Sequence, residues 1–168
     1  VIPPVGKLMA WYAILCNCLG IINQHFPKKD AVAKNRKKYI NRAYGLKDNI
    51  RTFMMERLYR NRFVGLTFAH SVSAFKKQAF RELWDAEPEL LKETTMHKCR
   101  TYTDVSQSAA IWWQIASGQF VPGKVDNVRC AADTWATDSI CETIKSQAHD
   151  KICINDPDTP TDLETTAQ

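Results

Sequence analysis

From Leu8 to Phe26 the bulky residues fall at Leu8, Trp11, Tyr12, Leu15, Cys18, Leu19, Ile22 and Phe26. Steps of three and four residues kept up over this length mark a helix with one thick apolar stripe. Ala10, Ala13, Asn17 and Gly20 form a thin opposite side, Pro3 and Pro4 precede the helix, and Pro27 ends it. The densest part, LMAWYAILCNCLGII from Leu8 to Ile22, falls short of the roughly 20 apolar residues that span a bilayer. No small-x-small cleavage site closes it as a signal peptide would require. It reads as a buried packing helix with Leu8, Trp11, Leu15 and Ile22 in the core. Cys16 and Cys18 sit two apart and face nearly opposite ways, so at most one of them shares that stripe.

Helical period continues along the chain. Asp30 can cap a second helix near Ala31–Asn61, with Tyr39, Ile40, Ala43, Leu46, Ile50, Phe53, Met54 and Leu58 on its apolar face. Gly45, costly inside a helix, marks a bend there. A third pattern runs through Val64, Phe68, Val72, Phe75, Ala79 and Leu83, with its continuity to the second helix left open. A short helix follows around Pro88–Lys98. Thr103 can cap DVSQSAAIWWQIAS, which Gly118 closes. Two shorter helical patterns lie near Val128–Ala136 and Ser139–Asp150, the latter with a Ser139/Glu142 capping box. No strand alternation persists. The expected fold is therefore all-α: a single domain over 1–154 built as a bundle of five or six helices. The first two helices should pack antiparallel across the short Pro27–Lys29 connection. The polar, acidic, Thr/Pro-rich residues 155–168 are expected to be a disordered tail.

The chain begins at Val1 rather than Met and carries six cysteines, Cys16, Cys18, Cys99, Cys130, Cys141 and Cys153. Together these favour a processed, secreted protein with disulfides over a set of reduced thiols, with the pairing open. Charge is uneven: residues 1–80 have a net charge of +12 and residues 81–168 a net charge of −7. Between Lys28 and Arg62 twelve basic residues stand against three acids. Lys34, Lys37, Lys38, Arg42 and Arg60 fall on the polar side of the second helix, with Arg51 at its edge, as a binding face for an anionic partner. Anionic membrane, an acidic extracellular protein and nucleic acid are all compatible with that face.

Motifs for chemistry are missing. There is no P-loop, no G-x-G-x-x-G, no H-E-x-x-H and no nucleophile elbow. Cys16-x-Cys18 with His97-x-Cys99 is poor zinc spacing, so neither metal nor cofactor is expected. His70, beside Ser71 and Ser73, is the one residue that could head a hydrolase site.

Within the second helix, Tyr39-Ile40-Asn41-Arg42-Ala43-Tyr44 resembles a helix of abalone sperm lysin. The run from Val32 through Lys34, the preceding amphipathic helix with His25, and Thr101–Val105 (TYTDV) are similar to that family too. The likeness covers about the first 60 residues and needs an insertion before TYTDV. It implies a gastropod sperm acrosomal protein, close to lysin or its fusagenic paralogue. Such a protein acts without catalysis: it binds the egg coat or fuses membranes through basic tracks and an apolar patch.

The expected function is thus a secreted, acrosomal, non-enzymatic fertilisation protein. Its partner would be an egg-coat glycoprotein or an anionic membrane, with no nucleic acid; a homodimer is compatible with this. Lys34, Lys37, Lys38, Arg42, Arg51 and Arg60 would bind, together with Trp112 and Trp113. The alternative is a secreted helical carrier whose pocket, lined by Trp112, Trp113 and Phe75, holds a lipid or sterol.

Overall fold

The computed structural model of the chain describes residues 8–64, 66, 73–123, 126, 128–131 and 137–155. These residues are mostly helical and contain α1 (Leu8–His25), α2 (Lys28–Lys34), α3 (Arg36–Tyr39), α4 (Leu46–Leu58), α5 (Lys77–Ala86), α6 (Pro88–Met96), α7 (Ser108–Ala116) and α8 (Thr137–Ser146). Two short strands, β1 (Val128–Ala131) and β2 (Ile152–Asn155), flank α8. The chain forms two compact units, one of Val1–Phe68 with Ala74–Gly123 and one of Ala69–Ser73 with Lys124–Gln168.

In the first unit α7 is the hub, packing on α1, α2 and α5. Its sequence explains this role. Every residue of SAAIWWQIA except Ile111 and Ile115 is buried, so the helix needs cover on nearly all sides. Ala109 and Ala110 keep its surface thin where neighbours approach, while Trp112 and Trp113 supply bulk. From α1 the core receives Ile14, Cys18, Ile21 and Ile22; from α5, Ala79 and Leu83; from α6, Leu91. The buried stripe of α1 is thus rotated from the expected one. Ile22 and Cys18 are buried, whereas Trp11 and Leu15 are only half-buried and Tyr12 is exposed. A helix apolar on most of its circumference does not reveal from periodicity alone which arc faces inward.

The expected second helix is cut into pieces. α2 ends at Asn35, whose side chain turns back to the Ala31 carbonyl at 3.2 Å. After α3, Asn41 Oδ1 accepts from the Ala43 amide at 3.0 Å and opens a single 3-10 turn over Arg42–Tyr44. Asn49 locks this break by accepting from the Asn41 amide (3.0 Å) and donating to the Asn41 carbonyl (2.8 Å). Such side-chain bonds compete with the helical ladder. Gly45 then takes φ 81°, a left-handed backbone that glycine adopts without strain. α4 buries no residue: Leu46, Ile50, Phe53, Met54 and Leu58 are all exposed, against the expectation of a core face. The stripe of α1 packs instead on α7.

Other boundaries shift as well. Val64 is non-helical and α5 begins only at Lys77; Phe68 and Val72 lie outside the described residues. Helix α7 starts at Ser108, not after Thr103, because Thr101, Thr103 and Asp104 bond one another in the preceding loop. Gly118, at φ 76°, does follow its last turn.

In the second unit β1 and β2 pair in parallel, Val128 opposite Ile152 through Ala131 opposite Asn155. A parallel pair needs a crossover, and α8 supplies it. The helical pattern expected near Val128–Ala136 is therefore a strand in its first four residues; residues 132–136 lie outside the described set. Four residues are too few to display alternation. Ser139 sits inside α8, so Ser139/Glu142 is no capping box. All six cysteines are free thiols, and the expected disulfides are not formed. Cys130 stands opposite Ile154 and Cys153 opposite Arg129, which puts the two sulfurs on opposite faces of the pair. The expected tail beyond Asn155 lies outside the described residues.

Candidate functional site

A cavity of about 550 Å³ lies within the first unit, a size typical of small-molecule sites. Lys28 and Val32 of α2, Tyr39 of α3, and Asp48, Arg51, Thr52, Met55 and Glu56 of α4 line one side. Tyr44, Phe63, Val64, Leu66, Ile115, Phe120, Val121 and Gly123 complete it. Local bonds hold these walls. The buried Lys28 donates from Nζ to the Met55 carbonyl at 2.8 Å and from its amide to the Asn61 carbonyl at 3.1 Å, tying α2 to the C-terminal end of α4 and the segment after it. Tyr39 Oη donates to the Ile115 carbonyl, and Phe120 meets the Tyr39 ring edge-on at 5.4 Å. Tyr44 Oη donates to the Lys38 carbonyl at 2.8 Å.

The electrostatics of the cavity are balanced. Burial pulls the Lys28 ammonium below its ordinary pKa while the Glu56 carboxylate acts against that fall. Burial pushes both Tyr39 and Tyr44 upward, so both phenols stay protonated. Glu56 Oε1 accepts from Arg36 Nη1 at 3.2 Å, while its Oε2 is buried without a partner. Such an orphaned acceptor calls for a donor from a ligand or from water.

Of the basic residues singled out from sequence, Lys34, Lys37, Arg42, Arg51 and Arg60 are exposed. They are spread over α2, α3, the 3-10 turn, α4 and the segment beyond, not on one helix. Only Arg51 also lines the cavity. Lys38 is half-buried: its Nζ donates to the Gly118 carbonyl and lies 5.8 Å from the Phe120 ring centre. Trp112 and Trp113 are core, 2% and 6% exposed, and neither lines the cavity; Phe75 is exposed. None of the three residues expected to line a carrier pocket lines the described cavity, so the carrier reading finds no support among the described residues. His70 lies outside the described residues.

A second polar cluster was not legible in advance. Asp104, 4% exposed, accepts from His97 Nδ1 (2.6 Å), the Thr101 amide (2.7 Å) and Thr101 Oγ1 (2.9 Å). Burial works against the charged carboxylate, but these bonds outweigh it and hold Asp104 below its ordinary pKa. Asn17 of α1 anchors the same loop by donating to the Tyr102 and Asp104 carbonyls at 2.8 and 2.9 Å. Partners seven residues apart in a loop give no periodic signal. Among the described residues no group of three or more His, Cys, Asp or Glu is placed to hold a metal, and no helix is long and apolar enough to cross a membrane.

No protein-family model and no solved structure matches the chain. It is similar to two capsular polysaccharide phosphotransferases of Streptococcus pneumoniae, each 27% identical over 143 residues and 85% of this chain. A receptor polysaccharide phosphotransferase of Streptococcus gordonii is 27% identical over 149 residues, 83% of this chain. The chain spans about two fifths of the length of these relatives, 42% and 41%. This likeness runs along most of the chain, whereas the sperm-lysin likeness covered about the first 60 residues on a short motif and needed an insertion to reach Thr101–Val105. It overturns that resemblance, and with it the fertilisation role, the acrosomal location, and the egg-coat or membrane partner. The expectation of a non-enzymatic protein falls as well, because the relatives are named as enzymes. The chain thus stands with bacterial polysaccharide phosphotransferases as its similar proteins.

Proposed function

We propose that the chain works in a phosphotransferase that acts on a polysaccharide. The observation that carries this is the extent of the likeness, 85% of the chain against relatives that share this name. Physical chemistry adds a fitting requirement. In phosphoryl transfer an acceptor oxygen bonds to phosphorus as the bond to the leaving oxygen breaks, and negative charge on the phosphoryl oxygens must be met by cations. The segment from Lys28 to Arg62 carries twelve basic residues against three acids. Its exposed members, Lys34, Lys37, Arg42, Arg51 and Arg60 among them, are spread over several elements and supply the positive charge that would attract a phosphate-bearing donor. Neither a hydrolase built on His70 nor a lipid carrier has a comparable observation behind it.

The test is transfer of a sugar phosphate group, labelled at phosphorus, from a nucleotide-activated sugar to a saccharide hydroxyl. The hydroxyl oxygen bonds to the sugar-side phosphorus, the bond from that phosphorus to the bridging oxygen breaks, and nucleoside monophosphate leaves. Wild type is compared with a Lys37→Glu, Arg42→Glu double variant. Both residues are exposed, so the fold should survive. The expected result is transfer by the wild type, with KM for the donor raised about ten-fold in the variant at low salt and less at high salt. No transfer by the wild type contradicts the function; an unchanged KM removes these basic residues from it.

A further inference from the structure

We infer that the cavity beside α4 binds an uncharged saccharide unit and not a phosphate group. The ligand class rests on the polysaccharide reading above; the choice between sugar and phosphate rests on the cavity itself. Its charged lining groups cancel: Lys28 and Arg51 stand against Asp48 and Glu56. A phosphate would bring its own negative charge to two carboxylates and find no net positive field, so the donor's anionic end belongs elsewhere. A sugar hydroxyl both donates and accepts, which suits a mixed wall. Glu56 Oε2, buried and without a partner, is the acceptor awaiting such a donor. The Lys28 ammonium has three hydrogens, of which the Met55 carbonyl takes one. Tyr39 and Tyr44 spend their hydroxyl protons on backbone carbonyls, which leaves their oxygens to accept.

The apolar share of the wall fits the same ligand. The rings of Tyr39, Tyr44 and Phe120 face the cavity with Val32 and Met55. A pyranose has apolar C–H faces as well as polar edges, and weak C–H contacts to ring faces reward that shape. A cavity of about 550 Å³ has room for a short saccharide.

The experiment titrates the full chain with maltose, lactose and diacetylchitobiose, and separately with glucose, galactose and the phosphates of both, following tyrosine ring resonances by NMR. At least one neutral disaccharide is expected to bind saturably, and no sugar phosphate to bind tighter than its neutral counterpart. Tyr44→Ala and Glu56→Gln are each expected to weaken that binding about ten-fold or more. Thermal unfolding of both variants checks that the fold is retained, and Val121→Arg at the exposed rim supplies a third variant that leaves the core untouched. Ten-fold tighter binding of the sugar phosphates overturns the inference. So does the absence of binding by all three disaccharides, or binding that survives all three substitutions. The readout is binding, so a chain that holds disaccharide yet transfers no phosphate refutes the proposed function alone, and the reverse result refutes this inference alone.

Discussion

His97 Nδ1 lies 2.6 Å from Asp104 Oδ1, and the carboxylate it meets is almost wholly buried. The pair closes the loop between α6 and α7 on itself, and Asn17 of α1 ties that loop down by donating to the Tyr102 and Asp104 carbonyls. Asp104 is held below its ordinary pKa of 3.8 in the folded chain. A carboxylate of that kind contributes stability that is complete above the unfolded pKa and is lost as pH falls through the folded one.

Asp104→Asn is therefore expected to destabilise the fold by about 1–3 kcal/mol near neutral pH, because the Thr101 and His97 donors lose their charged acceptor. The gap between wild type and variant should narrow below about pH 4, as the wild-type carboxylate takes up its proton. Urea unfolding across the acid range measures this. A gap that stays constant with pH would show that the carboxylate's charge is not what holds the loop.

The rotated stripe of α1 and the bare outer face of α4 give opposite expectations for similar side chains. Ile22 is fully buried, so Ile22→Ala should cost about 2–5 kcal/mol through lost contacts and the void left behind. Leu58 is 70% exposed, and Leu58→Ala should change stability by no more than about 0.5 kcal/mol. Equal losses at the two positions would return α4 to the core.

Six free thiols predict a definite chemical pattern. Cys16, Cys99 and Cys141 are exposed and should react with a thiol reagent in the folded state. Cys18 is buried, burial pushes its thiol pKa upward, and it should react only on unfolding. A reducing agent should leave the thermal midpoint unmoved. An intact mass lower by the hydrogens lost in disulfide formation would contradict the structure.

Helical character was legible because α1 carries a sustained periodic run and end signals mark the others: Pro88 opens α6, and Gly118 follows the last turn of α7. Which arc of α1 faces inward was not legible, since apolar residues surround most of that helix. The break at Asn35 and Asn41 depends on side-chain bonds to nearby backbone, which a periodicity reading overlooks. Of the cavity, only Arg51 stood out from sequence; Lys28 of α2 and Tyr39 of α3 meet Asp48 and Glu56 of α4, and no local spacing announces that convergence. The basic residues were visible as a charge run, but the role proposed for them rests on similarity spread thinly along most of the chain.

The central claim is phosphoryl transfer to a saccharide, and the phosphorus NMR spectrum of the reaction product tests it most directly. The full chain, given a nucleotide-activated sugar and a saccharide acceptor, is expected to produce a new phosphodiester resonance coupled to acceptor protons, together with the released nucleoside monophosphate. A mixture that keeps only the donor's resonances, or yields free phosphate and no phosphodiester, would contradict the account.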